Sequence, residues 1–281
     1  MKEIKNHLIT LWEEENIPFY HEEYHCDANQ NACTLTPFLL KDGKKHGAVL
    51  VFPGGGYTHH SEKEGEPVAL YFNSLGFHAF VVNYRVIPYH PYLGCIDGKR
   101  AVRYLRAHAT ELGIVENCIG VAGFSAGAGN ACLVAETFDK MEYDTTDRLD
   151  TFCAKPDFCI FGYGALSLKM EFMSSSDVEM FERIVPEKAR EGFLKSYSCD
   201  ALVREKMPPI FIWHTADDER VSVFAALAFV QELQKKKNTY EFHIFPSGGH
   251  GKSVTEAAEI GGICQWMALA EDWMRREGFL Q

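Results

Sequence analysis

Ile119-Gly120-Val121-Ala122-Gly123-Phe124-Ser125-Ala126-Gly127-Ala128-Gly129-Asn130-Ala131 joins a short apolar run to a run of small residues, with a serine at the junction. The first part reads as a strand buried on both faces, and the last as the start of a closely packed helix. Between them lies a G-x-S-x-G pentapeptide in the strand–turn–helix setting that a nucleophile elbow requires. The sharp turn forces the serine backbone into a strained conformation, so the residues two before and two after must be small. In return the hydroxyl projects above a sheet at a helix N-terminus. There the dipole and the amide of Ala126 favour a developing oxyanion. Such a pentapeptide arises by chance in about one chain in ten of this length, so the surrounding sequence has to carry the argument.

The same alternation runs through the chain. Strand-like runs are Ala48–Phe52, Ala79–Val82, Ile119–Ala122, Phe158–Phe161, Ile210–Trp213 and Tyr240–Phe245. Helix-like segments fall at 66–75, 97–112, 126–138, 222–237 and 261–276. Strands alternating with helices at this spacing imply right-handed βαβ units, an α/β fold and a mostly parallel sheet. Two stretches depart from the rhythm. About 165–206 carries Met170, Phe172, Met173, Phe181, Phe193 and Tyr197 but no strong strand, and is expected to be a functional or helical insertion. The first 45 residues are expected to form a hairpin or an antiparallel edge. No linker rich in Pro, Gly or Ser divides the chain, so 1–281 is expected to form a single domain.

The chain has 281 residues, 46% of them hydrophobic, which excludes intrinsic disorder. Twenty-eight basic residues against 39 acidic ones give a net charge of −11, a field that repels nucleic acid and anionic lipid. The densest basic run, Lys235-Lys236-Lys237, reads as the solvated end of a helix. The nine cysteines follow no zinc-type or C-x-x-C spacing, and Cys118, Cys132 and Cys159 sit in apolar stretches as core residues would. The N-terminus offers no apolar core of signal-peptide length, and no run reaches the roughly 20 apolar residues of a membrane span. A cytoplasmic, reduced protein is expected.

Three further features sit where a serine hydrolase would need them. Phe52-Pro53-Gly54-Gly55-Gly56-Tyr57 follows the first strong strand, and consecutive glycines let backbone amides turn inward around an anion. A phosphate loop would continue with Lys-Ser/Thr, whereas Tyr57-Thr58-His59-His60 follows here. Lipases and esterases place an HGGG-type loop at this point, although Pro53 stands where that motif has His. Asp217 and Asp218 follow one strand, and His250 follows another within Ser247-Gly248-Gly249-His250-Gly251. Both therefore fall at the carboxyl edge of the sheet, where open α/β sheets place their sites. The order Ser, Asp, His is that of α/β hydrolases and differs from the chymotrypsin and subtilisin orders.

Together with Val82-Asn83-Tyr84-Arg85-Val86 and Trp213-His214-Thr215-Ala216-Asp217-Asp218, these motifs resemble the α/β-hydrolase esterases over about residues 45–275. The closest branch is that of the acetyl-xylan-esterase-like and carbohydrate-esterase-like hydrolases, related to the hormone-sensitive-lipase type. The resemblance implies a central sheet with helices on both faces and a small helical cap. It implies Ser125 as nucleophile, His250 as general base and the acid in an Asp-x-x-Val pattern, which Asp218-Glu219-Arg220-Val221 fits better than Asp217. It places the oxyanion among the amides of Gly55, Gly56 and Ala126, with the choice of glycine left open by Pro53. Asp97 matches a position that opens a helix near the glycine loop, as an N-cap or brace.

The implied function is cofactor-independent hydrolysis of small esters through an acyl-enzyme, above all deacetylation of sugars or oligosaccharides. No metal is expected: adjacent His59-His60 do not converge on one ion, and Glu22-Glu23 read as a solvated face. The expected partner is a small ester, with no nucleic acid and no membrane; a homodimer accords with how such esterases associate. A general short-chain carboxylesterase, a peptidase of the prolyl-oligopeptidase type and a non-catalytic hydrolase-fold binding protein stay open as alternatives. The peptidase type carries a large extra domain for which 45 residues leave no room.

Overall fold

Residues 8–13, 16–143, 147–255 and 262–280 are described by the computed structural model. Strands β1 (Ile9–Thr10), β2 (Thr34–Phe38), β3 (His46–Phe52), β4 (His78–Asn83), β5 (Ile114–Phe124), β6 (Phe158–Gly162), β7 (Ile210–Thr215) and β8 (Tyr240–Phe245) form one sheet. Their order is β1-β2-β4-β3-β5-β6-β7-β8. From β4 across to β8 every neighbour is parallel, while β2 runs antiparallel to both β1 and β4. The N-terminal segment is thus an antiparallel edge. β1 reaches only Thr34 and Leu35 of β2. The rest of β2, Pro37 included, lies along an open edge, where a residue lacking an N–H is tolerated.

The helices are α1 (Glu66–Ser74), α2 (Leu93–Ala107), α3 (Ala109–Leu112), α4 (Ala126–Thr137), α5 (Ser175–Ile184), α6 (Glu187–Tyr197), α7 (Cys199–Leu202), α8 (Val223–Lys235) and α9 (Gln265–Arg276). The expected helix at 97–112 begins earlier, just after Pro91, and breaks at His108 into two. The 261–276 expectation is met from Gln265 onward, and its first residue lies outside the described residues.

Successive strand residues point to opposite faces. Leu50, Phe52 and Ile212 pack with residues of α2, α4 and α8 such as Val102, Ala131 and Phe229. Val49, Val51 and Phe211 pack on the other face with Phe72 of α1 and Trp266 and Trp273 of α9. Trp213 stacks on Trp266 at 5.3 Å between ring centroids. Helices therefore cover both faces, which is why the strand sequences read as continuously apolar. Lys235 closes α8 and pairs with Glu232, as a helix end would. All nine cysteines are unpaired. Among the described residues no helix is long and apolar enough to cross a membrane.

Asp97 corrects an expectation. It lies inside α2 rather than at its N-cap and is fully buried. Its carboxylate accepts bonds from the Arg85 guanidinium at 2.7 Å and from the Arg85 backbone amide at 2.9 Å. The brace therefore holds the chain leaving β4, not the glycine loop.

Candidate active site

The order of the sheet reverses at β3, whose neighbours β4 and β5 lie on opposite sides, and ligands bind at such a switch point beyond the carboxyl ends of strands. The glycine loop leaves β3 there, and Ser125 leaves β5. Ser125 has φ 51° and ψ −124°, a conformation that side chains rarely adopt. Close packing enforces it. A methyl group on Gly127 would stand 2.1 Å from the Phe52 carbonyl oxygen, and one on Gly123 would stand 2.6 Å from Ala128 Cα. The Ser125 amide donates to Gly162 at 3.1 Å, and the Ala165 amide donates to the Ser125 carbonyl at 3.0 Å. The serine is thereby fixed from both sides.

β7 and β8 deliver the other two predicted side chains. His250 Nε2 lies 2.9 Å from Ser125 Oγ, and His250 Nδ1 lies 2.8 Å from Asp218 Oδ2. The second oxygen of Asp218 accepts the amides of Arg220 and Val221, both at 2.9 Å. Burial acts against ionisation of Asp218, but bonds from His214 and His250 outweigh it and hold the carboxyl well below the usual carboxylate range. Asp217 is exposed and does different work: its oxygens accept the amides of Gly248 at 3.0 Å and Gly249 at 2.8 Å. Those glycines have φ 149° and 65°, so Asp217 clamps the turn that carries His250.

The glycine loop also divides its labour. The amide of Gly54 is engaged by Glu64 Oε2 at 2.6 Å. Gly55 and Gly56 have φ 127° and 61°, and Gly56 lines the same cavity as Ser125 and Ala126. His59 and His60 do not act as a pair. His60 packs edge-on against Tyr84, and burial pushes its imidazole down to about 4. Exposed His59 contacts the Thr58 hydroxyl. Among the described residues one group of metal-ligating side chains does converge, Cys132, Glu136 and Cys199, all buried where α4 meets α7. Burial pushes the Cys132 thiol and the Glu136 carboxyl well up, toward neutral forms.

A cavity of about 80 Å³ opens on Ser125 and Ala126. Its walls come from the loop before α2 and from the segment between β6 and β7, including Leu168, Met180, Phe181 and Phe193. That segment is stitched to the acid loop: Met173 bridges Val221, the Ser174 amide donates to Arg220 at 3.1 Å, and Arg220 pairs with Asp177 at 3.2 Å. Sequence reading did not single out Glu64, His214 or the Asp177–Arg220 pair. Glu64 stands in Ser61-Glu62-Lys63-Glu64-Gly65-Glu66, which has the composition of a solvated turn.

This sheet order, with a serine turn, an acid and a histidine at its carboxyl edge, defines an α/β hydrolase. The chain belongs to the BD-FAE family, whose model matches residues 39–233. It is similar over nearly its whole length to an acetyl ester-xyloside bifunctional hydrolase from Caldicellulosiruptor lactoaceticus. That crystal structure aligns at 35% identity and a TM-score of 0.88, covering 99% of this chain and 98% of the other. Among curated proteins, an endo-1,4-beta-xylanase B from Butyrivibrio fibrisolvens is 29% identical over 92% of this chain and 40% of its own length. An acetylxylan esterase from Xylanibacter ruminicola is 28% identical over 76% of this chain and 42% of its own. The chain thus spans less than half the length of these two curated relatives.

Proposed function

We propose that the protein is a serine esterase that removes small acyl groups, acetyl foremost, from acetylated sugars or oligosaccharides. The observation that carries this reading is the hydrogen-bonded series Ser125 Oγ–His250–Asp218, opening onto a small, largely apolar cavity. Ser125 Oγ attacks the acyl carbon while its proton passes to His250 Nε2. The resulting oxyanion is held by the amide of Ala126 and those of Gly55 and Gly56. Collapse expels the sugar alkoxide, which takes the proton from His250 and leaves an acyl-Ser125. A water, deprotonated by His250, then releases the acid and restores the serine. Asp218 fixes the imidazole tautomer and stabilises its protonated form at both steps.

The names of the relatives support the acetyl and sugar halves of this reading, and nine unpaired cysteines support a reducing, cytoplasmic setting. Residues 175–202, α5 to α7, serve in this reading as a cap that shapes the substrate cavity. The test is hydrolysis of 4-nitrophenyl acetate, butyrate and octanoate, with an acetylated xylo-oligosaccharide alongside, by wild type and Ser125→Ala. We expect acetate and the acetylated sugar to be preferred and kcat to fall at least about 10³-fold in the variant. Retained turnover in Ser125→Ala would sink the assignment. Preference for octanoate would move the reading to a general carboxylesterase.

A further inference from the structure

Behind the glycine loop lies a buried carboxylate that the reaction steps above do not use. Glu64 is 3% exposed. Its Oε2 accepts the amide of Gly54 at 2.6 Å, and its Oε1 accepts the hydroxyl of Tyr163 at 2.7 Å. Both oxygens accept, which is the bonding pattern of the ionised form. Gly54 is pressed between this carboxylate and the nucleophile. A methyl group there would meet Glu64 Oε2 at 2.7 Å and Ser125 Cβ at 2.8 Å. Tyr163, just past β6, stands edge-on to the His250 ring at 5.0 Å between centroids. The hydroxyl of Ser253, three residues beyond His250, donates to the carbonyl of Lys63 at 2.8 Å. The turn bearing Glu64 therefore touches the glycine loop, the end of β6 and the histidine loop at once.

We infer that Glu64 is a positioning residue: it sets the glycine loop against Ser125 and supplies negative charge behind His250 while that imidazole carries a proton. The inference rests on the Ser125–His250–Asp218 reading. A neutral acceptor could hold a single amide, so structural bracing alone does not call for a charge here, where its desolvation is costly. An imidazolium forms in each half of the reaction, however, and a nearby carboxylate stabilises it. The titratable groups around Glu64 are Tyr163, His250 and the buried Tyr84, and Ser61 adds a hydroxyl. Burial pushes the Glu64 carboxyl above its ordinary value, and the bonds from Tyr163 and Gly54 and the charge of His250 offset only part of that rise.

Two variants separate reach from charge. Glu64→Gln keeps the length and loses the charge; Glu64→Asp keeps the charge and cannot span both donors. The measurements are kcat and KM on 4-nitrophenyl acetate from about pH 5 to 9, with Tm, for wild type, both variants and Ser125→Ala. In Glu64→Gln we expect plateau kcat to fall about tenfold, with KM changed less than about twofold. The acid limb of kcat/KM should move down by about half a pH unit, because the protonated imidazole has lost a neighbouring negative charge. Glu64→Asp should lose kcat without moving that limb. A Glu64→Gln enzyme with wild-type kcat and an unmoved limb would overturn the inference. So would losses that merely follow a lowered Tm with the limb unmoved, which is what a structural brace gives. Wild-type turnover in Ser125→Ala would instead fell the triad reading, and this inference with it.

Discussion

Adjacent carboxylates with opposite consequences offer a demanding test of the site. In Asp218→Asn the Oδ1 atom can still accept the amides of Arg220 and Val221. The new NH₂ then faces His250 Nδ1 and His214 Nε2, where a carboxylate oxygen had accepted at 2.8 Å and 3.3 Å. Two donors cannot share that contact. His250 relieves the clash by placing its proton on Nε2, which then points at Ser125 Oγ and cannot take the serine's proton. Losing the correct tautomer costs such triads about 10⁴ in kcat, equivalent to about 5.4 kcal/mol. Asp217→Asn removes no contact to the imidazole. Its single oxygen can hold only one of the Gly248 and Gly249 amides while the NH₂ faces the other, away from the imidazole, and we expect less than about a tenfold fall. The assay is steady-state hydrolysis of 4-nitrophenyl acetate, with circular dichroism to show that both variants fold. Equal losses in the two variants, or a larger loss in Asp217→Asn, would refute the assignment of Asp218. Stability should also part with pH. The folded carboxyl of Asp218 lies below its ordinary value of 3.8, so its contribution is present above about pH 4 and is lost as the pH falls further. Asp218→Asn should lack that acid-dependent component.

Two further changes probe the elbow and the cavity. Gly127→Ala places a methyl 2.1 Å from the Phe52 carbonyl oxygen and 2.4 Å from that of Pro53, both backbone atoms with nowhere to go. We expect a loss of about 3 kcal/mol, against about 1 kcal/mol for Gly249→Ala, where only the positive φ is at issue. Calorimetry checks this, and a Gly127→Ala melting temperature equal to that of Gly249→Ala would contradict the packing argument. Phe181→Ala removes a buried wall of the cavity. The ratio of butyrate to acetate hydrolysis should rise roughly tenfold; an unchanged ratio would place the acyl group elsewhere.

The parts of this fold legible in the sequence are those whose signal is local. The inner parts of β3, β5 and β7, Ala48–Phe52, Ile119–Phe124 and Ile210–Trp213, are buried on both faces and so declare themselves as apolar runs, and Ser125 is marked by glycines that packing demands. β1 is two residues long and β2 contains Pro37, so neither carries enough alternating pattern to be read. The α5–α7 segment is legible as a helical insertion, but the bounds of its helices are not. Its helices are short, and much of their surface is polar. Asp218 could be chosen over Asp217 through a resemblance, but the role of Asp217 depends on where a turn 31 residues away comes to rest. Glu64 was illegible for the same reason, since burial of one acid within a charged run is decided by tertiary contacts alone.

Ser125 has a last consequence, for how this site endures through change. With φ 51°, its backbone occupies a region that disfavours any side chain, and the surrounding contacts hold it there. Glycine at 125 would relieve that strain and, by the same reasoning, yield a hardier but inert chain. Mutational drift toward robustness therefore runs against the hydroxyl at this position. On the role proposed for Ser125, the strained backbone is what presents the hydroxyl, and a glycine that relieved the strain would give up the nucleophile.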